Sequence, residues 1–256
     1  MSKKRSTATR RAESDAASAR AAAIRAEQDR RERRRRSLAV TAVVVVVLAL
    51  VLVIATVVRS SQDSSGGTAT PPAGAVGRYA VPAGKASAPV KVVVYEDFMC
   101  PFCGQFESAG RTSFARDIAA GRVQFQYHVL SFLDRSSSTR YSTRSANALA
   151  VVLEASGAGV AERFHDLLFD NQPEEGGAGL SDAKLVDLAV QAGATASAVR
   201  PGIDDLAFED WVGDVTDQAS KDDVTATPTV VVDGRRLTAT DTTELVAEVQ
   251  KAVDAG

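Results

Sequence analysis

Val90-Lys91-Val92-Val93-Val94-Tyr95-Glu96-Asp97-Phe98-Met99-Cys100-Pro101-Phe102-Cys103 carries the decision about the fold. Its first half, Val90 to Tyr95, is an apolar β-branched run that reads as a buried strand. Beyond it, Gln105 to Ala120 is polar with apolar residues at Phe106, Phe114 and Ile118, which reads as a helix. The two cysteines are the only ones in 256 residues, and they sit where the strand ends and the helix begins. There, unsatisfied first-turn N–H groups and the helix dipole favour a thiolate on Cys100. Cys103, one turn further along, is close enough to attack a disulfide formed at Cys100. The spacing suits a dithiol that exchanges disulfides, with Cys100 as the accessible sulfur.

Two other uses of a C-x-x-C stand beside this one. A zinc site needs two further ligands, and only His128 and His165 remain, far apart and on different predicted elements. A structural disulfide closing so short a loop would constrain little of the unfolded chain.

Outward from the cysteines, the charge is strongly asymmetric although the formal net charge is −2. Residues 1–37 carry 13 Lys/Arg against 5 Asp/Glu, whereas residues 60–256 carry 16 against 27. Between them, Leu38 to Val58 is uncharged and rich in Val, Leu and Ala. As a helix it spans about 31 Å, the thickness of a bilayer's hydrocarbon core. A secretory signal has a shorter apolar region followed by a small-x-small cleavage site, and Val57-Val58-Arg59 is not one. The expectation is one N-terminal transmembrane helix at 38–58, with a basic segment at 1–37. Arg30 to Arg36 abuts the span, so the positive-inside rule puts 1–37 in the cytoplasm and the rest outside, at the plasma membrane. The basic run suits anionic lipid headgroups. Lacking aromatics for base stacking, it gives no reason to expect a nucleic-acid partner.

Residues 59–77 are rich in Ser, Gly, Thr, Ala and Pro, a flexible linker. The folded domain is expected at 78–256. A short strand is predicted at Tyr79 to Val81. Gly121 ends the helix after the cysteines, and Val123 to Val129 alternates as a strand. Strand, helix, strand implies a parallel pair with a right-handed crossover. A helical section follows at about 133–221, with helices over Thr143–Ser156, Val160–Phe169, a Ser181-capped segment and Ile203 to about Ser220. Thr229 to Val232, the Asp233-Gly234 turn and Arg235 to Leu237 form a hairpin, and Asp241 caps a last helix. The class is α/β, βαβ…ββα with a helical insertion.

Asp97-Phe98-Met99-Cys100-Pro101-Phe102-Cys103 resembles the active-site segment of the thioredoxin superfamily, in its DsbA-like branch, as a membrane-anchored bacterial form. Thr227-Pro228 is similar to that superfamily's cis-proline loop, and Phe164 to Pro173 resembles its helical insertion. The resemblance runs from about Tyr79 to Val253. It implies a thioredoxin-like fold, Cys100 and Cys103 as the exchanging pair, and Pro101, Phe102, Glu96 and Asp97 as active-site support. It also implies Thr227 and Pro228 as the place where an extended substrate segment pairs. Pro228 alone would read as an ordinary strand-start proline.

Two departures stand out. Phe102 occupies a place where such oxidases commonly carry His. Val94 occupies a place where they often carry Glu. Glu96, on the same strand face as Val94 by period-2 alternation, is the substitute for proton transfer to and from Cys103. A solvated strand-end Glu is the plainer reading. His128 and His165 have no partner visible in sequence and read as structural. Trp211 with Phe208 reads as helix core, and Gly176-Gly177 as loop.

The function expected is a membrane-anchored thiol–disulfide oxidoreductase that introduces disulfides into exported cysteine-containing proteins. It would be reoxidised by a membrane redox partner and would need no metal or organic cofactor. An extracytoplasmic reductase or isomerase, and a tethered peptide-binding module, remain as alternatives.

Overall fold

The computed structural model describes residues 69–256. The basic segment, the Leu38–Val58 span and the first part of the linker lie outside these residues. Among the described residues, no helix is long and apolar enough to cross a membrane.

The predicted central strand is β2, Val90–Glu96, with Val90, Val92 and Val94 buried. β3, Val123–Val129, runs parallel to it, Val90 facing Val123 and Glu96 facing Val129. The connection is α1, Pro101–Ala119, the expected crossover helix. β4, Thr229–Val232, is antiparallel on the other side of β2 and turns through Asp233-Gly234 into β5, Arg235–Arg236. Asp233 and Gly234 have φ of 46° and 81°, the left-handed pair a tight hairpin needs. β1 is displaced from its predicted place. It runs Val81–Ala83, antiparallel to β3, while Ala80 makes only an isolated bridge to Val76. The sheet order is β1-β3-β2-β4-β5, so the strand leading to the cysteines lies at the centre.

Between β3 and β4 lie a 3-10 turn at Phe132–Ser136 and five helices. They are α2 Tyr141–Ser156, α3 Ala158–Asp170, α4 Asp182–Ala192, α5 Ala196–Asp204 and α6 Glu209–Lys221. The predicted Ser181 cap accepts from the Lys184 N–H at 3.2 Å. The single helix expected over Ile203–Ser220 is two. Leu206 sits at φ 53°, and Asn147 of α2 spans the break. Its Nδ2 donates to the Gly202 carbonyl at 3.1 Å, and its Oδ1 accepts from the Phe208 N–H at 2.8 Å. A side chain 55 residues away thus satisfies backbone groups that helix termini leave open. Trp211 is core, as expected, and its indole N–H donates to the Arg78 carbonyl at 2.7 Å. α7, Thr242–Ala255, begins at Asp241, whose carboxylate accepts from the Glu244 N–H, and packs against α1.

Aromatic rings join the layers. Phe114 of α1 meets Phe125 of β3 at 4.7 Å, and Tyr127 of β3 stacks on His165 of α3 at 4.0 Å. Phe98, in the loop before the cysteines, meets Phe169 of α3 at 5.0 Å. The insertion therefore packs directly behind the C-x-x-C.

Candidate active site

Cys100 is the N-cap of α1, with an extended backbone (φ −74°, ψ 116°), and Pro101 fills the first turn where no N–H is needed. The Cys100 carbonyl accepts from the Cys103 and Gly104 N–H groups at 3.0 and 3.2 Å. The preceding loop is held by Asp97. Its Oδ1 accepts from the Met99 N–H at 2.9 Å and the Ser142 hydroxyl at 2.7 Å, and its Oδ2 from the Leu133 N–H at 2.9 Å. Burial pushes the Asp97 carboxyl up to about 6 in spite of these donors, and negative charge on Cys100 adds to the rise.

The two sulfurs occupy opposite environments. The Cys103 thiol donates to Cys100, and this, against the opposing effect of burial, lowers the Cys100 pKa to about 6, helped by N–H groups of Cys103 and Phe102. Cys103 is fully buried, and burial, the Cys100 interaction and the charge of Glu96 hold its thiol well above the ordinary value. Cys100 is less open than expected, at 5% exposure. It opens into a groove of about 670 Å³ walled by Phe132, Leu133, Val224, Ala226 and Thr227. The reason is tertiary: the insertion and the Thr227 loop converge on the helix N-terminus. Phe102 is 61% exposed and separates this groove from a second, of about 420 Å³, bordered by Pro228, Leu237 and Leu245.

The Thr227–Pro228 peptide is cis, and the Thr227 carbonyl accepts from the Cys100 thiol at 3.3 Å. Sequence positions 100 and 227 are thus in contact, as the resemblance implied.

Glu96 is fully buried, so the solvated reading fails. Its Oε1 lies 2.6 Å from His165 Nε2, which also overturns the view of His165 as partnerless. Sequence reasoning missed this because the residues are 69 apart and on different layers. Burial opposes the imidazolium, but Glu96 outweighs it and holds the His165 pKa up at about 10. Burial also raises Glu96, so the pair retains a proton between them at neutral pH. Glu107, also buried, is pushed up to about 8 by burial, with Glu96 adding to the rise. It was missed as well, although a signal existed. Cys103, Glu107, Gly110 and Phe114 follow helical spacing on the buried face of α1. His128, half-buried against Tyr95 at 4.7 Å, is lowered to about 4 by burial and stays structural.

Glu96, Glu107 and His165 are, among the described residues, a group of ligating atoms all within 4.8 Å of one another. The 2.6 Å Nε2–Oε1 contact is that of a shared proton. Two ligands on a tetrahedral zinc ion would stand about 3.3 Å apart. The arrangement therefore fits proton exchange better than metal binding.

Gln172, inside the insertion motif, is a further residue the sequence did not single out. Its Nε2 donates to the Phe98 and Cys100 carbonyls at 3.1 and 2.9 Å. Gly104 permits this approach, since a Cβ there would lie 2.2 Å from Gln172 Oε1.

Comparison with known proteins agrees with this geometry. The family model described as Thioredoxin matches residues 78–255. Oxidised DsbA from Mycobacterium tuberculosis is 32% identical with a TM-score of 0.58, covering 68% of this chain and 92% of that one. BdbD from Bacillus subtilis, also oxidised, is 25% identical with a TM-score of 0.60, covering 69% and 91%. Serine/threonine-protein kinase PknE of M. tuberculosis is 32% identical over 120 residues, which is 45% of this chain. The chain spans only 21% of that kinase's length. With a family match over the whole described α/β domain and a C-x-x-C on its helix N-terminus facing a cis-proline loop, the chain belongs to the thioredoxin family, in its DsbA-like branch.

Proposed function

We propose that the protein is a membrane-anchored thiol–disulfide oxidoreductase that introduces disulfides into exported proteins. The observation that carries this reading is the split between the two sulfurs: a Cys100 pKa lowered to about 6 beside a buried Cys103 held as thiol. A stabilised thiolate is a good leaving group and favours the reduced state, so the disulfide is readily passed on.

In the oxidised form a substrate thiolate attacks Cys100 Sγ, the Cys100–Cys103 bond breaks, and its electron pair leaves on Cys103. A second substrate thiolate then attacks the substrate sulfur of the mixed disulfide and releases Cys100 as thiolate. Glu96 exchanges the proton of Cys103, while Asp97, Pro101 and Phe102 shape the helix start. Thr227 borders the groove beside Cys100 and Pro228 the second groove across Phe102, and an extended segment of substrate pairs with their loop. The apolar walls at Phe132, Leu133 and Val224 suit an unfolded or partly folded chain with exposed hydrophobic side chains.

The anchor is residues 38–58, with 1–37 cytoplasmic against anionic lipid and 78–256 outside, where disulfides persist. The uncharged span and the basic run before it support this placement. A membrane redox partner reoxidises Cys100–Cys103 by accepting its electrons. The full chain in detergent, equilibrated against reduced and oxidised glutathione, tests the direction. An oxidase gives an equilibrium constant nearer that of a strong oxidant than that of thioredoxin. A thioredoxin-like constant would make the protein a reductase or isomerase instead.

A further inference from the structure

We infer that His165 and Asp166 carry the Cys103 proton between Glu96 and solvent, so that a buried sulfur exchanges protons without opening the site. This rests on the thiol-exchange reading above and extends it to residues that touch no substrate.

The need for a path follows from burial. Cys103 and Glu96 are both at 0% exposure. The Asp97 N–H is directed at the Cys103 sulfur, and Glu96, the neighbouring residue, acts on that sulfur through its charge. In the thiol-exchange reading Glu96 takes and gives that proton, but it is fully buried and has no contact with water to pass it on. Its second oxygen, Oε2, has no hydrogen-bond partner. Its first lies 2.6 Å from His165 Nε2.

On the far edge of that imidazole, Nδ1 is 3.6 Å from Asp166 Oδ1. That is too long for a direct hydrogen bond and within reach of a small side-chain rotation. The Asp166 side chain is 46% exposed. Three rings pack around His165: Tyr127 stacked at 4.0 Å, Phe169 edge-on at 5.1 Å and Phe98 at 5.6 Å. An imidazole with a different nitrogen at each end, one facing a buried carboxylate and one facing a half-exposed carboxylate, is built to pass protons through.

The charged and titratable groups around it come from each element packed there. Glu96 comes from β2, Glu107 and Arg111 from α1, Tyr127 from β3, and Glu162 and Asp166 from α3. Arg111 holds the outlet, with Nη1 3.5 Å from Asp166 Oδ1 and Nη2 2.9 Å from Asp170 Oδ1. Glu107, neutral at pH 7 by virtue of its raised pKa, spares the cluster a second buried negative charge. Burial holds the Tyr127 phenol well above its ordinary pKa, so it stays neutral and does not compete.

The step balances. When substrate thiolate displaces Cys103 from Cys100, the Cys103 thiolate takes a proton from the Glu96–His165 pair. Water replaces it through Asp166. On reoxidation by a disulfide, Cys100 thiolate attacks that disulfide and expels a thiolate. Cys103 then yields its proton to Glu96, His165 passes it to water, and Cys103 thiolate closes onto Cys100 Sγ. A second thiolate leaves.

The closing half-reaction isolates this path. Full-length reduced protein is mixed with glutathione disulfide. The conversion of the Cys100–glutathione mixed disulfide to the intramolecular disulfide is timed by acid quench from pH 5 to 8. His165→Gln should slow closure at least about tenfold and flatten its pH dependence, the loss expected when a proton-transfer group is removed. Cys100 alkylation should stay within about twofold, a readout that a merely structural change would move together with closure. Asp166→Asn, on the surface, should slow closure about threefold. Wild-type closure rate and pH profile in both variants would overturn the path. If His165→Gln does not fold, the surface variant decides alone: an unchanged profile overturns the proposal. If wild-type protein forms the mixed disulfide but never closes it, the thiol-exchange reading itself falls, and the path with it.

Discussion

Cys100 and Cys103 lie on one helix, three residues apart, yet the regions around them behave as different solvents. On the Cys100 side, the Cys103 thiol and the N–H groups of the helix start outweigh burial and favour the charged sulfur. On the Cys103 side, complete burial and a nearby carboxylate favour the neutral one. The same functional group is driven in opposite directions because donors converge on Cys100 at the helix start, whereas burial dominates at Cys103. The difference supports the proposed division of work, in which Cys100 meets the substrate and Cys103 waits inside with its proton.

The largest test removes one side of the contrast at a time. Cys103→Ser should accumulate mixed disulfides with cysteine-containing substrates, because the internal competitor for Cys100 is gone. Cys100→Ser should accumulate essentially none. Counting trapped adducts on non-reducing gels decides it, and equal trapping by the two variants would abolish the division of roles.

A smaller effect is read from pH. Alkylation of reduced protein by iodoacetamide should follow the Cys100 thiolate, with a midpoint near 6 and about a tenfold fall per pH unit below it. Cys103 should remain unmodified in the native state at every pH where the fold persists. The linkage has a definite sign. Between about 6 and the ordinary thiol value near 9, the unfolded chain binds the proton that native Cys100 has released. The Cys100 contribution to the stability of the reduced protein therefore rises with pH across that window and is lost as pH falls through about 6, while Glu107 and His165, held at raised pKa values by the fold, contribute with the opposite sign. A midpoint above 8 would show that the helix terminus does not set the contrast.

The smallest expected effect concerns Phe102. Its ring is 61% exposed, so a histidine there would place its charge largely in water. Phe102→His should lower the Cys100 pKa and raise the reduction potential together, but only by about two- to fivefold in the corresponding constants, given solvent screening. Alkylation and glutathione titrations made on the same preparation check both. If the two quantities move apart or not at all, the intervening dipeptide has no hand in the poise.

Local signals were legible wherever one stretch of chain decides its own conformation. The β-branched run became β2, the alternation at 123–129 became β3, Asp233-Gly234 turned the hairpin, and Ser181 and Asp241 capped their helices. The C-x-x-C at the helix start was readable for the same reason, since it needs only a strand end and a first turn. The chain from Asp205 to Phe208 was not, because Asn147 of another helix settles where the backbone breaks.

The site divides along the same line. The order of motifs was enough to name Cys100, Cys103, Thr227 and Pro228, because the family pattern carries their positions along the chain. It was silent on what each side chain faces. Glu96 was named for proton transfer beside the plainer reading of a solvated strand end, and His165 read as a lone imidazole; only packing put them 2.6 Å apart. Gln172 was an ordinary residue in a motif until its amide reached the Phe98 and Cys100 carbonyls over Gly104. Sequence by itself determined the elements, their order and the dithiol, since periodicity, capping and turn chemistry act over a few residues. Tertiary structure alone decided how far the accessible sulfur is covered and which carboxylate holds a partner, because desolvation and proton sharing depend on groups that only the folded core brings together.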